Sequence, residues 1–541
     1  MEVLTERTPA WKKWLYTTDH KRVGLLYLWT AFVFFLLAGV AALIVRWELA
    51  TTGRTIIDPS TYYIMFSAHG TLMVFLWIIP VFAGFGNYLI PLLIGAPDVA
   101  YPRLNGLSYW LYLASGIVIF LGFLWGWTVS DPVQSAAVGW TGYPPVSGIR
   151  ASPGHGVDFY ALGIQLVGAS SMMGAINFLV TIIRMRAPGV TFHNMSLFVW
   201  AQFTTSLLIT FATPSIGNAM LMNVFDRNLG TVFFGKYDLG TGEFLGGNPL
   251  LYQHLFWFYS HPAVYVMILP AMGIISEVLP KMVKRPIFGY RAMAYSILAI
   301  ALLGFTVWMH HMFATGTDTR VRMFFMIMTM IIGVPTGVKI FNWVFTMWGG
   351  VMRFEAPLLF CIGFVSNFLI GGIDGVFLAS IPVDYQLHQT YWVVAHIHYV
   401  LFGGAVMGVF AGIYYWLPLM SGRMYDRRLA RWHFWLTLIG LNVVFMTMHF
   451  LGTAGMPRRV YDYLPVYEGM NVLATVGAFL LAAAQLPFLY NVLWTLRRGE
   501  RMVHDPWNDR PAYEWGGRPP GHDAPVHHAP GPLAASGGGR D

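Results

Sequence analysis

Long uncharged runs constrain this chain more strongly than any other feature of its sequence. Residues 24–45 and 61–97 contain no Asp, Glu, Lys or Arg, and each run exceeds the roughly 20 residues that a helix needs to cross about 30 Å of hydrocarbon. Of the 541 residues, 56% are hydrophobic and 11% are charged, whereas roughly 25% are charged in an ordinary soluble domain. The sequence therefore predicts an all-α, polytopic membrane protein and excludes a soluble one.

About twelve apolar segments, separated by charged or Gly- and Pro-containing connections, predict about twelve transmembrane helices. The expected spans are residues 24–46, 62–93, 107–127, 157–183, 195–216, 251–280, 290–312, 323–346, 354–379, 388–418, 430–452 and 468–496. They form one membrane domain over 24–496, which follows a polar N-terminal segment over 1–23. Residues 497–541 are rich in Pro, Gly and His, so we expect a largely disordered tail there.

The distribution of basic residues predicts the orientation of these helices. If the N-terminus is inside, 23 of the 33 Lys and Arg residues fall in inner segments and 9 in outer ones. Basic segments are retained on the cytoplasmic side of a membrane. We therefore expect a multi-pass protein of the cell's inner (plasma) membrane with both termini in the cytoplasm. The net charge of +8 follows from this topology, and it indicates contact with lipid and not with nucleic acid.

The only cysteine, Cys361, lies in an apolar segment. A single thiol excludes an intrachain disulfide framework, a thiolate copper centre and a covalent CxxCH haem attachment within this chain. Any haem must therefore be held by coordination and packing.

Several of the 17 histidines lie in the apolar segments, where ionisable groups are costly and usually functional, and six of them stand out by their depth. They are His69, His261, His310, His311, His396 and His398. At 1.5 Å of rise per residue, all six fall within about the outer third to half of the bilayer. One such histidine could be a hydrogen-bonded core residue, but six from four helices at one depth predict redox metal centres. Three imidazole ligands that leave one coordination position open suit a copper ion, and imidazoles that bind the iron along the haem axis suit a haem.

The spacing of these histidines indicates how they divide among cofactors. His396 and His398 are two residues apart, so on a helix they point about 200° away from each other. One helix can then supply ligands to two different cofactors. The adjacent His310 and His311 can chelate one metal only where the end of their helix is distorted.

Eight motifs carry a family resemblance that extends from about residue 19 to residue 515. They are AHG (68–70), GNYLIPLLIGAPD (86–98), GWTGYPP (139–145), YQHLFWFYSHPAVY (252–265), WMHHMF (308–313), PTGVK (335–339), VVAHIHYV (393–400) and GMPRR (455–459). In these motifs the chain resembles subunit I of the haem–copper oxygen reductases. The resemblance implies an oxygen-reducing enzyme whose helices hold two haems and one copper ion.

The resemblance assigns the six histidines to three metal centres. His69 and His398 would ligate a low-spin haem, and His396 would ligate a high-spin haem. The copper ion that faces the high-spin haem, copper B, would be held by the remaining three: His261, His310 and His311.

Other residues match the family's cofactor contacts. Tyr265 lies four residues after His261 on the same helix face, and the resemblance implies that the two are covalently joined and that the phenol donates an electron and a proton to oxygen. Arg46 resembles the arginine that contacts the formyl group of the low-spin haem, which favours haem A; the alternative is a helix-end cap. Arg458 and Arg459 would pair with haem propionates, the alternative being a solvated loop pair.

Two proton routes are implied from the inner side. Lys339 is the only Lys or Arg in a helix interior, where a charge without a function is costly. It matches the family's lysine route, whose other members here are Thr336, Ser276 and Tyr265. The second route begins at Asp98, just past the inner end of the second helix, although an isolated Asp there could simply be solvated. Its further members here are Asn87, Asn105, Ser170, Ser171 and Asn177.

The chain departs from the commonest family pattern in the second route. Most relatives have a glutamate where this chain has Ala263. The preceding Tyr259 and Ser260 resemble the branch that uses a Tyr-Ser pair instead, which is common among oxidases fused to an extra cytochrome c. We predict that Tyr259 relays protons in place of the glutamate; the alternative is that it only fills volume and that water carries the proton.

Two further departures concern acidic positions. His388 and Gln389 stand where relatives have a His-Asp pair that binds magnesium or manganese. His388 is still a candidate ligand, but an amide is a weaker ligand than a carboxylate, so the sequence leaves this metal site open. Asp374 in the ninth helix has no family role that we could assign.

These features predict the catalytic subunit of a respiratory oxidase that reduces oxygen to water with electrons from cytochrome c and translocates protons. A quinol oxidase is the alternative, but quinol-using members carry Arg and Asp where this chain has Leu37 and Ala41. Nitric oxide reductases lack the counterparts of Tyr265 and Lys339, and a haem-free proton channel does not need six histidines at one depth.

Because this chain has no dicopper thiolate site, it needs a subunit II that carries one. That subunit is itself a candidate for fusion to cytochrome c. Subunit III and cytochrome c are the other implied partners.

Overall fold

Twelve apolar helices form the bundle in the computed structural model, which describes residues 9–237 and 240–507. In chain order they are α1 (His20–Glu48), α2 (Pro59–Ile94), α3 (Pro102–Thr128), α4 (Gly156–Arg184), α5 (Leu197–Asn228), α6 (Pro249–Met282), α7 (Tyr290–Gly304), α8 (Thr319–Met347), α9 (Ala356–Ala379), α10 (Tyr391–Ser421), α11 (Arg427–Thr453) and α12 (Pro465–Arg498). Eleven of these are long and apolar enough to cross a membrane, and the 15-residue α7 is shorter. The predicted all-α, polytopic fold is confirmed.

Short elements connect the helices of the bundle. They are the helices Ala10–Leu15 and Ile381–Leu387, the 3-10 turns Pro132–Gln134 and Trp308–Met312, and the strand pairs Lys236–Tyr237 with Phe244–Gly246 and Arg423–Met424 with Glu500–Arg501.

Capping residues fix where the histidine-bearing helices begin. Asp58 precedes α2 and accepts hydrogen bonds from the backbone N–H groups of Ser60 at 2.9 Å and Thr61 at 3.1 Å. Pro59 takes the first helical position, where its missing N–H is not needed. Asn248 caps α6 in the same way. Each cap satisfies N–H groups that the helix itself leaves unpaired, so α2 and α6 start at defined positions.

The predicted seventh helix, residues 290–312, is wrong beyond Gly304. α7 ends there, and the chain passes through a turn into the 3-10 segment Trp308–Met312. The Thr306 hydroxyl donates to the carbonyl three residues earlier at 2.7 Å, so a side chain competes with the backbone for a carbonyl of the last turn. The result is the distorted helix end that the adjacent pair of histidines requires.

Two π-helical segments interrupt α2 and α10, over Leu72–Ile78 and Leu401–Val406. Each begins three residues after a histidine of interest, His69 in α2 and His398 in α10. Insertions of this kind appear frequently at functional sites. Their placement marks this level of the bundle as a site.

Small residues let α9 and α11 approach α10 closely. A Cβ atom on Gly452 of α11 would collide with the backbone nitrogen of Trp392 in α10. A Cβ atom on Gly371 of α9 would lie 2.9 Å from the backbone nitrogen of Val400. Close backbone contact through small residues is typical of helix interfaces in membranes, and here it holds the helix that carries two of the histidines.

The chain after α12 packs against the bundle as far as it is described. Residues Glu500–Arg501 pair with the strand that precedes α11. Trp507 is 4% exposed, and its indole N–H donates to the Tyr415 carbonyl at 2.9 Å. The folded unit therefore extends past residue 496, and the predictions for residues 1–8 and 508–541 lie outside the described part.

We expect Gly452→Ala to lower the thermal unfolding temperature of the purified protein. Its new Cβ would push α11 away from Trp392, and overpacking of this kind costs about 1–3 kcal/mol. Gly372→Ala on α9 is the matched control, because a Cβ atom there meets nothing within 4 Å. Equal unfolding temperatures for the wild type and Gly452→Ala would contradict the close packing of α10 and α11.

Candidate metal centres

His69 of α2 and His398 of α10 form the first of three histidine groups. Their rings are parallel to within 2°, with centroids 6.1 Å apart. This leaves room for one metal atom between them, because a metal–imidazole bond is about 2.0 Å long. The Nδ1 atom of His69 lies 3.0 Å from the Ala38 carbonyl oxygen, and that of His398 lies 2.8 Å from the Val394 carbonyl oxygen. Donation from Nδ1 leaves Nε2 of each ring free to bind a metal.

His396 makes its contacts on a different side of α10. Its Nδ1 atom lies 2.9 Å from the Gly371 carbonyl oxygen of α9, so its Nε2 atom is also left free. A Cβ atom on Gly375 would lie 3.2 Å from its Cε1 atom, so α9 presents a glycine face to this ring. His398 instead packs on Phe445 of α11, with ring centroids 4.3 Å apart. The two histidines diverge as their spacing predicts.

His261 of α6 meets His310 and His311 in a cluster whose candidate ligand atoms all lie within 4.8 Å of one another. His261 Nδ1 and His310 Nε2 each lie 3.1 Å from His311 Nε2. Nitrogen atoms at this spacing can share one metal, because each metal–nitrogen bond is about 2.0 Å long. Thr329 Oγ1 lies 3.1 Å from His310 Nδ1, and the Trp257 ring stacks on His311 at 3.7 Å. Within the described ranges this is the one such group of three metal-ligating side chains.

Tyr265 lies beside His261, with ring centroids 4.7 Å apart, as their spacing of four residues predicts. The His261 Nε2 atom has no hydrogen-bond partner among the described residues. A Cβ atom on Gly304 would lie 3.0 Å from the Tyr265 ring, so the end of α7 confines the phenol against the histidine cluster.

The three predicted arginines each keep unpaired guanidinium nitrogens. Arg46 is 6% exposed, and its Nη2 donates to the Asn471 carbonyl at 2.9 Å and to Thr475 Oγ1 at 3.1 Å. Its Nε and Nη1 atoms, and the Nε atoms of Arg458 and Arg459, have no partner in the described part of the chain. Burial lowers the pKa of the Arg458 guanidinium to about 9. Buried unpaired donors are costly, so these groups suit the oxygen atoms of a bound cofactor.

Lys339 of α8 is 0% exposed, and no described residue bonds its ammonium group. Its Nζ atom lies 5.6 Å from the centroid of the Trp343 ring. The Trp343 indole N–H donates to Ser276 Oγ of α6 at 3.1 Å, while the Thr336 hydroxyl donates to a carbonyl of its own helix at 3.1 Å. Trp343 therefore connects Lys339 with Ser276, a link that the sequence analysis missed because one more tryptophan in an apolar helix carries no signal.

Asp98 lies in the loop between α2 and α3, half-buried, and burial raises the pKa of its carboxyl group to about 6. Asn105 is fully buried, and neither of its amide atoms has a partner among the residues described. The Asn87 Oδ1 atom also has no hydrogen-bond partner among the described residues. By contrast, Ser170 and Asn177 bond backbone groups of α3 and of the loop before it.

Two neighbouring cavities lie beyond Asn87. The larger, of about 40 Å³, is lined by Asn87 and Ser171 among others, and the smaller, of about 10 Å³, is lined by Ser171 and Tyr259. A cavity needs about 10–15 Å³ to hold one water molecule, so the larger one has room for water. The Ser260 hydroxyl, next to Tyr259, has no partner in the described ranges. Ser171 lines both cavities, so the two cavities together extend from Asn87 to Tyr259.

Two histidine–carboxylate pairs lie outside the three groups. His388 Nδ1 lies 3.0 Å from Asp384 Oδ2, and His449 Nε2 lies 2.8 Å from Asp374 Oδ2. The candidate ligand His388 is thus paired with a carboxylate that the sequence analysis missed, although the spacing of four residues could have indicated it. The pair of Asp374 and His449 joins two helices that are far apart in sequence, which no local pattern indicates.

Comparison with known proteins shows which family the chain belongs to. The family model for cytochrome c and quinol oxidase polypeptide I matches residues 22–480. The chain belongs to this oxidase family. Cytochrome c oxidase subunit 1 of Thermostichus vulcanus is 50% identical over 508 residues, which are 93% of this chain and 89% of that protein. The protein of the same name from Synechocystis sp. is 48% identical over 510 residues, 94% of this chain and 89% of that protein.

A solved structure also shows the oxidase fold. The chain of a haem–copper terminal oxidase dimer, determined by cryo-EM, superposes with a TM-score of 0.77 at 20% identity, covering 94% of this chain and 88% of that chain. The predicted function is confirmed at the level of a terminal oxidase catalytic subunit, an oxidoreductase of the cytochrome c oxidase type with haem and copper cofactors. The quinol alternative is not favoured, because the curated relatives are cytochrome c oxidases.

We expect His398→Ala to remove the low-spin haem band from the optical spectrum of the purified oxidase and to abolish most of its activity. The substitution removes the imidazole that faces His69 with ring centroids 6.1 Å apart. His193→Ala, at an exposed position in the loop between α4 and α5, is the control and should leave both haem bands unchanged. A normal two-haem spectrum with turnover in His398→Ala would refute the assignment.

Proposed function

We propose that the three histidine groups hold a low-spin haem A, a high-spin haem A and copper B. His69 and His398 hold the low-spin haem, and His396 holds the high-spin haem. The copper is held by the cluster of His261, His310 and His311. The nitrogen spacing of 3.1 Å in that cluster carries the proposal, because it fits three ligands on one metal with a position left open. When bound, these metals supply the electrons that convert oxygen to water.

The arginines bind the polar edges of the haems in this proposal. The unpaired Nε and Nη1 atoms of Arg46 suit a formyl oxygen, which supports haem A. Arg458 and Arg459 lie in the outer loop between α11 and α12 and suit carboxylates, since charge-assisted hydrogen bonds from guanidinium groups are among the strongest. The three residues orient the haems and compensate negative charge.

Tyr265 supplies an electron and a proton to oxygen, and a covalent bond joins its ring to His261. The contact of the two rings at 4.7 Å supports this role, as does the Nε2 atom of His261, which no described residue bonds. Protons reach Tyr265 from the inner side through Lys339, Thr336 and Ser276, and the Trp343 indole N–H holds the Ser276 hydroxyl.

Lys339→Met tests this route. The substitution keeps the volume of the side chain and removes its charge, so protons can no longer compensate electrons that enter the high-spin haem and copper. We expect stopped-flow spectra to show reduction of the high-spin haem slowed by at least about tenfold, with slow turnover. Lys284→Met, at an exposed lysine after α6, should behave as wild type. Wild-type reduction kinetics in Lys339→Met would count decisively against the route.

A second route runs from Asp98 past Asn87 and Asn105 and through the cavities to Tyr259. Ala263 cannot ionise, so the Tyr259 hydroxyl takes the place of the missing glutamate, with Ser260 beside it. A phenol is a poorer transient base than a carboxylate, so Tyr259 passes protons along a hydrogen-bonded chain and does not store charge. The cavity that Ser171 and Tyr259 line supports this path.

Tyr259→Phe deletes only the hydroxyl and so separates a relay from a space-filling ring. We expect lower turnover and weaker proton pumping in reconstituted vesicles, with partial recovery when Ala263→Glu is added. Tyr295→Phe, at an exposed tyrosine of α7, is the control. If Tyr259→Phe pumps and turns over normally, the hydroxyl has no relay role.

The assembly and its location complete the proposal. Electrons come from cytochrome c through a subunit II that carries a dicopper centre and is a candidate for fusion to cytochrome c, and a subunit III accompanies both chains. The complex lies in the cell's inner membrane with both termini of this chain in the cytoplasm, as the distribution of basic residues indicates. His388 serves a magnesium or manganese ion only if Gln389 can replace the usual carboxylate.

A further inference from the structure

Asp374 and His449 form a buried pair that none of the proposed electron or proton steps uses. The Asp374 Oδ2 atom lies 2.8 Å from His449 Nε2, and each residue is 6% exposed. Asp374 belongs to α9 and His449 to α11, so the pair spans the two helices that flank α10. A carboxylate at this depth is costly unless it has a function or a full set of partners.

The contacts of His449 place the pair on one particular side of α10. Its ring packs against Trp392 with centroids 4.8 Å apart and against Tyr399 with centroids 5.4 Å apart. Trp392 precedes His396 by four residues and Tyr399 follows it by three, so all three share a helix face. The pair therefore flanks His396, whereas His398 points elsewhere.

Asp374 approaches the same imidazole from α9. Gly371, one turn before Asp374, accepts the hydrogen bond from His396 Nδ1 at 2.9 Å. Gly375, the residue after Asp374, would place a Cβ atom 3.2 Å from His396 Cε1. The Asp374 carboxylate thus belongs to the stretch of α9 that touches the His396 ring. Because Gly371 and Gly375 have no side chains, neither residue places atoms between α9 and this ring.

The hydrogen bonds of His449 indicate the charge of the pair. Its Nδ1 atom has no partner among the described residues, and a buried N–H without an acceptor is costly. The geometry favours a neutral imidazole that donates Nε2–H to Asp374. Asp374 then keeps a negative charge that its partner does not cancel, unlike Asp158, which bonds the Arg227 guanidinium at 2.7 Å.

We propose that Asp374 acts through His396 to lower the reduction potential of the high-spin haem, and that His449 holds the Asp374 carboxylate in place. The inference rests on the proposed ligation of that haem by His396. A nearby negative charge stabilises oxidised iron, the more positive state, and water does not screen it at this depth. Asp374 is a positioning residue in this role and does not touch oxygen. The alternative is that the pair only joins α9 to α11.

Asp374→Asn tests the proposal, because it keeps the shape and a hydrogen-bonding oxygen but removes the charge. The measurement is a spectroelectrochemical titration of the whole purified oxidase complex. We expect the equilibrium constant for one-electron reduction of the high-spin haem to rise about tenfold, which corresponds to about 59 mV. His449→Gln is the matched control, because it keeps the charge and an N–H donor; the potential should stay at or below the wild-type value.

Each other result overturns the inference. One such result is that Asp374→Asn keeps both haem bands and the wild-type reduction potential of the high-spin haem. Another is that Asp374→Asn and His449→Gln change this potential equally. A third is that only the potential of the low-spin haem changes. If Asp374→Asn does not assemble, Asp374→Ser is smaller, equally neutral and expected to give the same rise. The ligand assignment is checked separately by His396→Ala, which should remove the high-spin haem signal. Survival of that signal would refute the assignment, whatever Asp374→Asn shows.

Discussion

A hydrogen bond from imidazole Nδ1 to a backbone carbonyl fixes the orientation of each histidine that we propose as a haem ligand. His69, His396 and His398 each make such a contact, at 3.0, 2.9 and 2.8 Å. In an apolar bundle the contact satisfies a polar atom that would otherwise be costly to bury, and it fixes which nitrogen faces the cofactor. The accepting carbonyls belong to α1, α9 and α10. The orientation of each ligand therefore depends on how closely these helices pack.

Helix α10 brings these requirements together, since in the proposed arrangement it supplies a ligand to each of two haems in opposite directions. One neighbour, α9, must come close enough for the Gly371 carbonyl to reach His396. The other, α11, must lie almost against the backbone of Trp392, which only Gly452 allows. The π-helical segment Leu401–Val406 follows directly after the ligands. A substitution that moves any of these helices should disturb both haems, although it touches neither.

The sequence predicts which side chains form this site better than it predicts the groups to which they are hydrogen-bonded. The common depth of six histidines follows from helix spans and a fixed rise per residue, so the metal-binding level of the bundle could be predicted. The end of α7 could not, because the competition between a threonine hydroxyl and the backbone at Thr306 depends on local geometry. The carbonyl of Gly371 has no sequence signal, because every residue carries a carbonyl. His449 was missed because its contact with Asp374 joins two helices that are far apart in sequence, whereas the spacing of four residues between Asp384 and His388 could have indicated that pair.

The two proposed proton routes differ in where a charge can reside. Burial raises the pKa of the Asp98 carboxyl group to about 6, so this group can take up a proton and release it again near neutral pH. Beyond it, this chain has hydroxyl and amide groups and no counterpart of the usual glutamate up to Tyr259. Hydroxyl groups pass protons only along a continuous hydrogen-bonded chain, so this route needs water between Asn87, Ser171 and Tyr259. The larger cavity, which Asn87 and Ser171 line, provides such space, whereas the proposed Lys339 route includes a side chain that can carry the charge itself.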